Sequence, residues 1–389
     1  MTPTRFSVQP NVLEWARLTA SLELDEAAKR IGVTADRLAQ WERGDVEPTI
    51  NQLRKAADAY TRPLAALFLN APPKGEERFD LPDFRRPNIE GGESALLRRA
   101  ILRARQQQEA LQDVVDEGAE VAIAVGGVVH INGTDPPAVA AKVLREALKL
   151  GDTPARVLTR PEEFFRRLVR TVESLGYLVI QVQRVPIDEM RGFSVAGSPV
   201  PVIALNGADW PRGKVYTLLH ELVHVGLRHS GLCDLSRDSS KPEERYCDEV
   251  AAATLMPAQT FKTSASQVDP MSYQDLQRLA NGFGVSAEAA LLRMIHLNLA
   301  SWDEYNVMKP SFRDAYAKHK QDEKDARAGK DSPLYYQLKV RDLGRPFIAT
   351  VLRAHDDGVF SSRDVTQLLG VTYDKLPKLA SRLGPEAVA

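Results

Sequence analysis

Cysteine is scarce: Cys233 and Cys247 are the only two in 389 residues. Two thiols cannot build a disulfide framework, and a reducing compartment suits them. Excess charge is also absent. The 51 Lys and Arg nearly cancel the 52 Asp and Glu, leaving −1. No global basic field advertises nucleic acid, so any DNA contact must come from a local patch. No run of about 18 apolar residues occurs, which excludes a spanning helix. The opening residues MTPTRFSVQPNVLEW hold no apolar signal core. A cytoplasmic protein without a membrane partner is expected. No internal repeat of fixed period is visible. What remains is an ordinary globular mixture, 43% hydrophobic and 26% charged. Its length suits two or three domains.

Apolar spacing and breakers divide the chain. Residues 1–70 read as an all-α bundle, with helices over 10–22, 25–31, 34–43, 48–60 and 63–69. A Pro-rich, charged linker follows at 71–92. Residues 93–160 read as a helical connector with a long helix over 93–117. The β-branched run 121–131 suggests a strand. Between 161 and 308 the order is helix, three short strands at 177–182, 191–195 and 201–205, then helices at 214–228 and 242–256. The pattern turns helical again over 272–298, with a turn at 284–286. That order predicts an α+β catalytic unit. Residues 309–333 read as a charged, solvated linker, and 334–389 as a small helical module. The expected class is multidomain and mainly α.

One segment carries chemistry. In Thr217-Leu-Leu-His220-Glu221-Leu-Val-His224 the two histidines lie four apart, on one face of a helix. Both can present a ring nitrogen to one ion. Glu221 projects beside that ion and can act as general base toward a metal-activated water. The remaining positions are apolar, so the helix should be buried, and burying these three polar groups is costly unless they are satisfied. A hydrolytic zinc site needs a third protein ligand and an open position. The helix beginning at Pro242 offers Glu243, Glu244 and Glu249. Glu244 is preferred, because Asp248 follows four positions later on the same face and can accept the spare N–H of a ligating histidine. Glu243 and Glu249 read as surface charge. One Zn2+ per chain is expected, although two imidazoles and a carboxylate also suit other divalent metals. Tyr216, His229 and Tyr246 are candidates for binding substrate or its oxyanion.

These residues carry a resemblance. The stretch Arg212 to His224, followed by Glu244-Arg-Tyr-Cys-Asp248-Glu-Val-Ala-Ala-Ala-Thr-Leu-Met256-Pro257, resembles the ImmA/IrrE family of metallopeptidases. The likeness spans roughly 165–300 and implies a zincin-like catalytic domain. It implies zinc ligation by His220, His224 and Glu244, with Glu221 as acid and base. Members of that family cleave a helix-turn-helix repressor. The chain departs from the usual signature at Cys247-Asp248, where Ala-Asn is common, and at Val250, where Phe is common.

The segment Leu24 to Gly44, with Glu47-Pro-Thr49, resembles the Cro/cI-type (XRE) helix-turn-helix domain. That likeness implies a third helix entering the major groove of double-stranded DNA. Thr34, Asp36, Arg37 and Gln40 would face bases, and Lys29, Arg30 and Arg43 would meet phosphates. Nine Lys and Arg balance nine Asp and Glu over residues 1–72, so the domain offers little generic attraction for phosphate.

Two functions are therefore expected in order. The first is a zinc metallopeptidase and transcription regulator that cleaves a protein substrate, a repressor by resemblance. The alternative is a DNA-binding regulator whose metal site is structural or sensory, without turnover. The oligomeric state is left open, a homodimer included.

Overall fold

The computed structural model describes residues 6–20, 22–60, 62–73, 94–127, 129–151, 161–197, 200–228, 231–233, 242–327 and 335–383. The chain divides into two compact units. One holds residues 1–81 and 87–106; the other holds 82–86 and 107–389.

The first unit is a helical bundle: α1 (Pro10–Thr19), α2 (Leu24–Ile31), α3 (Ala35–Arg43), α4 (Ile50–Tyr60) and a 3₁₀ turn (Leu64–Phe68). Leu13, Ile31, Leu38, Trp41 and Leu53 are fully buried at its centre. Gly32 closes α2 at φ 80°, a left-handed conformation that glycine adopts without a Cβ penalty. Thr34 caps α3 by accepting the Arg37 N–H at 3.2 Å. Arg17 on α1 grips Glu42 on α3 through two hydrogen bonds, at 2.7 and 2.9 Å. This bidentate pair is nearly buried and fixes the two helices against each other.

α5 (Ala95–Asp116) is divided between the units at Gln106. The second unit continues with α6 (Pro137–Ala147), α7 (Pro161–Ser174), β1 (Leu178–Val182), β2 (Gly192–Val195), β3 (Val202–Asn206), α8 (Pro211–Gly226), β4 (Gly231–Cys233) and α9 (Pro242–Leu255). The sheet order is β1-β3-β2-β4. β1 runs parallel to β3, while β2 runs antiparallel to both β3 and β4. β3 is buried along its whole length, as a central strand of Val-Ile-Ala-Leu should be. α8 is apolar on nearly every side, and twelve of its 16 residues are buried, so it is an interior helix. It packs between the sheet and α9.

Among its described residues the run 121–131 forms no strand, contrary to its composition. Gly126 turns the chain at φ 80°, and Gly127 approaches the backbone so closely that a Cβ would fall 2.7 Å from the Leu175 carbonyl oxygen. The segment packs instead as an irregular layer, with Ile131 N donating to Gly226 O at 3.0 Å. The expected linker 309–333 is helical as far as Arg327. After α10 (Ala258–Ala265), α11 (Tyr273–Phe283) and α12 (Ala287–His296), α13 runs unbroken from Trp302 to Arg327. Tyr305, Met308 and Phe312 bury one face of its first part in the core, while no described residue from 313 to 327 is buried, so the charged stretch is a solvated helix. Residues 328–333 of that linker, and most of 71–92, lie outside the described residues.

The C-terminal module is α14 (Tyr335–Leu343), α15 (Arg345–Asp356), α16 (Ser362–Leu369), a 3₁₀ turn (Tyr373–Lys375) and α17 (Leu376–Ala380). It shares the second unit rather than standing apart. α14 packs on β1, and Gly344 permits the corner: a Cβ there would lie 2.7 Å from Leu178 Cδ1.

Candidate metal centre

α8 and α9 lie side by side, and their facing surfaces build the centre. His220 and His224 come from successive turns of α8, and Glu244 from the first turn of α9. All three are buried, and their donor atoms lie within 4.8 Å of one another. His224 Nε2 is 2.9 Å from Glu244 Oε1, and His220 Nε2 is 3.3 Å from Oε2. The two Nε2 atoms are 3.1 Å apart. Donors placed about 2.1 Å from one tetrahedral ion would be separated by about 3.4 Å. The donor set therefore fits a divalent cation in both chemistry and spacing.

Electrostatics agree. Burial alone would raise the Glu244 carboxyl, but hydrogen bonds to His220 and His224 and their charge outweigh it, holding the group at about 2. Glu244 is thus an anion ready to ligate. Glu221 behaves oppositely. Its side chain has no exposed surface, and burial pushes its carboxyl up against the opposing pull of His224 and His220. Neither oxygen makes a hydrogen bond of good geometry, although the Ser194 hydroxyl is near enough to favour the ionised form. A buried carboxyl left so poorly satisfied costs stability, which is the expected signature of a group kept for chemistry.

The surroundings hold the donors. His220 Nδ1 lies 2.9 Å from Asp248 Oδ1, one turn along α9 from Glu244, so Nε2 is left for a metal. Tyr216 donates to Asp248 O at 3.1 Å and lies 3.4 Å from Oδ1. Tyr216 therefore steadies Asp248. The Tyr246 hydroxyl is likewise directed to Asn132 O, at 3.3 Å. His229 lies outside the described residues.

Two contributors were not legible in sequence. Glu243, read there as surface charge, places Oε1 3.8 Å from His224 Nδ1, near enough for charge attraction but longer than a hydrogen bond. Gly192 on β2 leaves room for the base: a Cβ there would fall 2.5 Å from Thr217 Cγ2 and 3.0 Å from Glu221 Oε1. A glycine opening the strand beneath an HExxH helix was the only available signal.

In the first unit, Asp36, Arg37 and Gln40 lie at the N-terminal end of α3, with Arg37 Nη1 donating to Gln40 Oε1 at 3.3 Å. Thr34 is engaged as the cap. Arg30 pairs with Glu26 at 2.6 Å and Arg43 with Asp45 at 2.9 Å, while Lys29 is exposed. Two of the three expected phosphate contacts are therefore already neutralised locally.

Residues 176–294 match the family model of the IrrE N-terminal-like domain, a peptidase family, and residues 13–67 match a helix-turn-helix model. No curated protein matches the chain. The first match runs from the sheet through α12 and contains every donor of the centre. Among the described residues no helix is long and apolar enough to cross a membrane.

Proposed function

From a chain that joins a helix-turn-helix domain to an IrrE-like metallopeptidase domain, we propose a zinc endopeptidase that cleaves a protein substrate and thereby regulates transcription. The observation that carries this reading is Glu221, a buried, poorly satisfied carboxyl set beside three converging donors. A purely structural metal site has no need of it. His220, His224 and Glu244 would hold one Zn2+, whose two-imidazole, one-carboxylate set is that of hydrolytic zinc sites. When bound, the ion supplies Lewis acidity, which lowers the pKa of a water toward about 7. Glu221 Oε accepts the proton of the attacking water and returns it to the departing amine nitrogen. Asp248 keeps the His220 imidazole turned so that its Nε2 faces inward.

The fused domain supports DNA binding through α3, and the likeness to repressor-cleaving peptidases makes a helix-turn-helix repressor the substrate we favour. The second reading, a regulator with a non-catalytic metal site, is favoured by the same fusion, since proteolysis does not require the helix-turn-helix domain. Glu221→Gln separates them. Under the first reading the variant keeps its metal and loses hydrolysis of a co-expressed repressor by at least about 100-fold. Wild-type regulation by this variant in cells would favour the second.

A further inference from the structure

A cavity of about 800 Å³ opens in the second unit, walled by α7, β1, the start of α8 and the α14–α15 corner. It is separate from the metal centre in its lining: none of His220, Glu221, His224 or Glu244 borders it. Its size falls within the range of small-molecule sites. Phe165 and Val340 give it an apolar wall. Five Lys and Arg oppose three Asp and Glu along its lining.

The cations are not all equivalent. Lys214 is held by Gln181 Oε1 and Gly207 O, at 3.1 and 2.9 Å, and Arg341 pairs with Asp342 at 2.7 Å. Arg166 and Arg170, four apart and so on one face of α7, and Arg345 form no ion pair among the described residues. Arg166 donates to Glu162 O and Arg345 to Leu383 O, both uncharged acceptors. Glu173 also lines the cavity and is only 9% exposed, and among the described residues no group hydrogen-bonds its carboxyl. The three arginines are solvent-exposed, so it is the buried, unpartnered carboxyl that is expensive for the fold alone.

We propose that this cavity binds a small organic anion. Its phosphate or carboxylate would be held by Arg166, Arg170 and Arg345. Its apolar body would lie against Phe165 and Val340, and Glu173 would hydrogen-bond a polar group on that body. Burial raises the Glu173 carboxyl to about 8, against the charges of Arg345 and Arg170. Near neutral pH the group therefore carries a proton and can donate. Lys214 borders the cavity and His220 lies six residues further along the same helix, about 9 Å along its axis. An occupant would thus touch the helix that carries the metal donors.

Titration calorimetry of the full chain tests this without reference to peptidase activity. Adenosine monophosphate and decanoate serve as probes joining an anion to an apolar body; adenosine and inorganic phosphate lack one part each. At least one of the first pair should bind one per chain, at least about tenfold tighter than adenosine or phosphate. Its affinity should fall as salt rises. Arg170→Glu should weaken it at least tenfold, with Arg345→Glu as the second variant should the first not fold. His220→Ala should leave it unchanged, which separates this site from the metal centre. Phosphate or carboxylate preference shows which probe the arginines favour. Failure of both probes to bind, or binding insensitive to the folded Arg variants and to salt, overturns the proposal.

Discussion

Asp248 accepts from His220 and is itself steadied by Tyr216, so the second imidazole nitrogen of His220 is fixed by a short chain of hydrogen bonds. Removing such a partner from a metal histidine weakens metal affinity by about 10- to 100-fold. Asp248→Ala should show that loss in a competitive chelator titration while the fold is retained; unchanged affinity would make Asp248 a surface residue. The histidines, Glu221, Glu244 and Asp248 were legible in sequence because i and i+4 positions share a helix face whatever the tertiary structure. Glu243 was not. Its approach to His224 depends on the angle at which α9 meets α8, and no local spacing encodes that angle.

At the level of elements, periodicity located most of the helices and the three main strands, because each buries a distinct face, but it did not place α6 or α10. β4 escaped notice, since three residues of Gly-Leu-Cys carry no pattern. Two segments were misread for opposite reasons. The run 121–131 has strand composition, but Gly126 and Gly127 bend it into close backbone contact. The 309–333 segment has linker composition, yet continues α13 to Arg327 as a largely solvated helix in which, among the described residues, only Phe312 is buried. Phe312 is 7% exposed and stacks with Tyr305 at 6.3 Å. Phe312→Ala should lower the unfolding free energy by about 3 kcal/mol in denaturant titration. A change within about 0.5 kcal/mol would restore the solvated-linker reading.

Across the whole molecule, a buried acid links stability to pH. Glu173 has its folded pKa raised from 4.5 to about 8, so between these values the folded state binds more protons than the unfolded state. Stability contributed by this group is full below about pH 4.5 and declines as pH rises toward 8. Glu173→Gln should flatten that part of the stability profile, seen as a smaller loss of melting temperature between pH 5 and 8 than in wild type. An identical profile would mean that the carboxyl is not buried as described. Net charge near zero and a balanced N-terminal unit gave no hint of this group, whose burial is set by tertiary packing rather than by local sequence.

The centre formed by α8 and α9 is tested most directly by metal content. Elemental mass spectrometry of the purified wild type, Glu221→Gln and Glu244→Ala should find one zinc per chain in the first two. The third should have lost its zinc or most of it. A wild type that takes up no metal when zinc is supplied, or a Glu244→Ala that keeps a full equivalent, would contradict the assignment of His220, His224 and Glu244 as the metal donors.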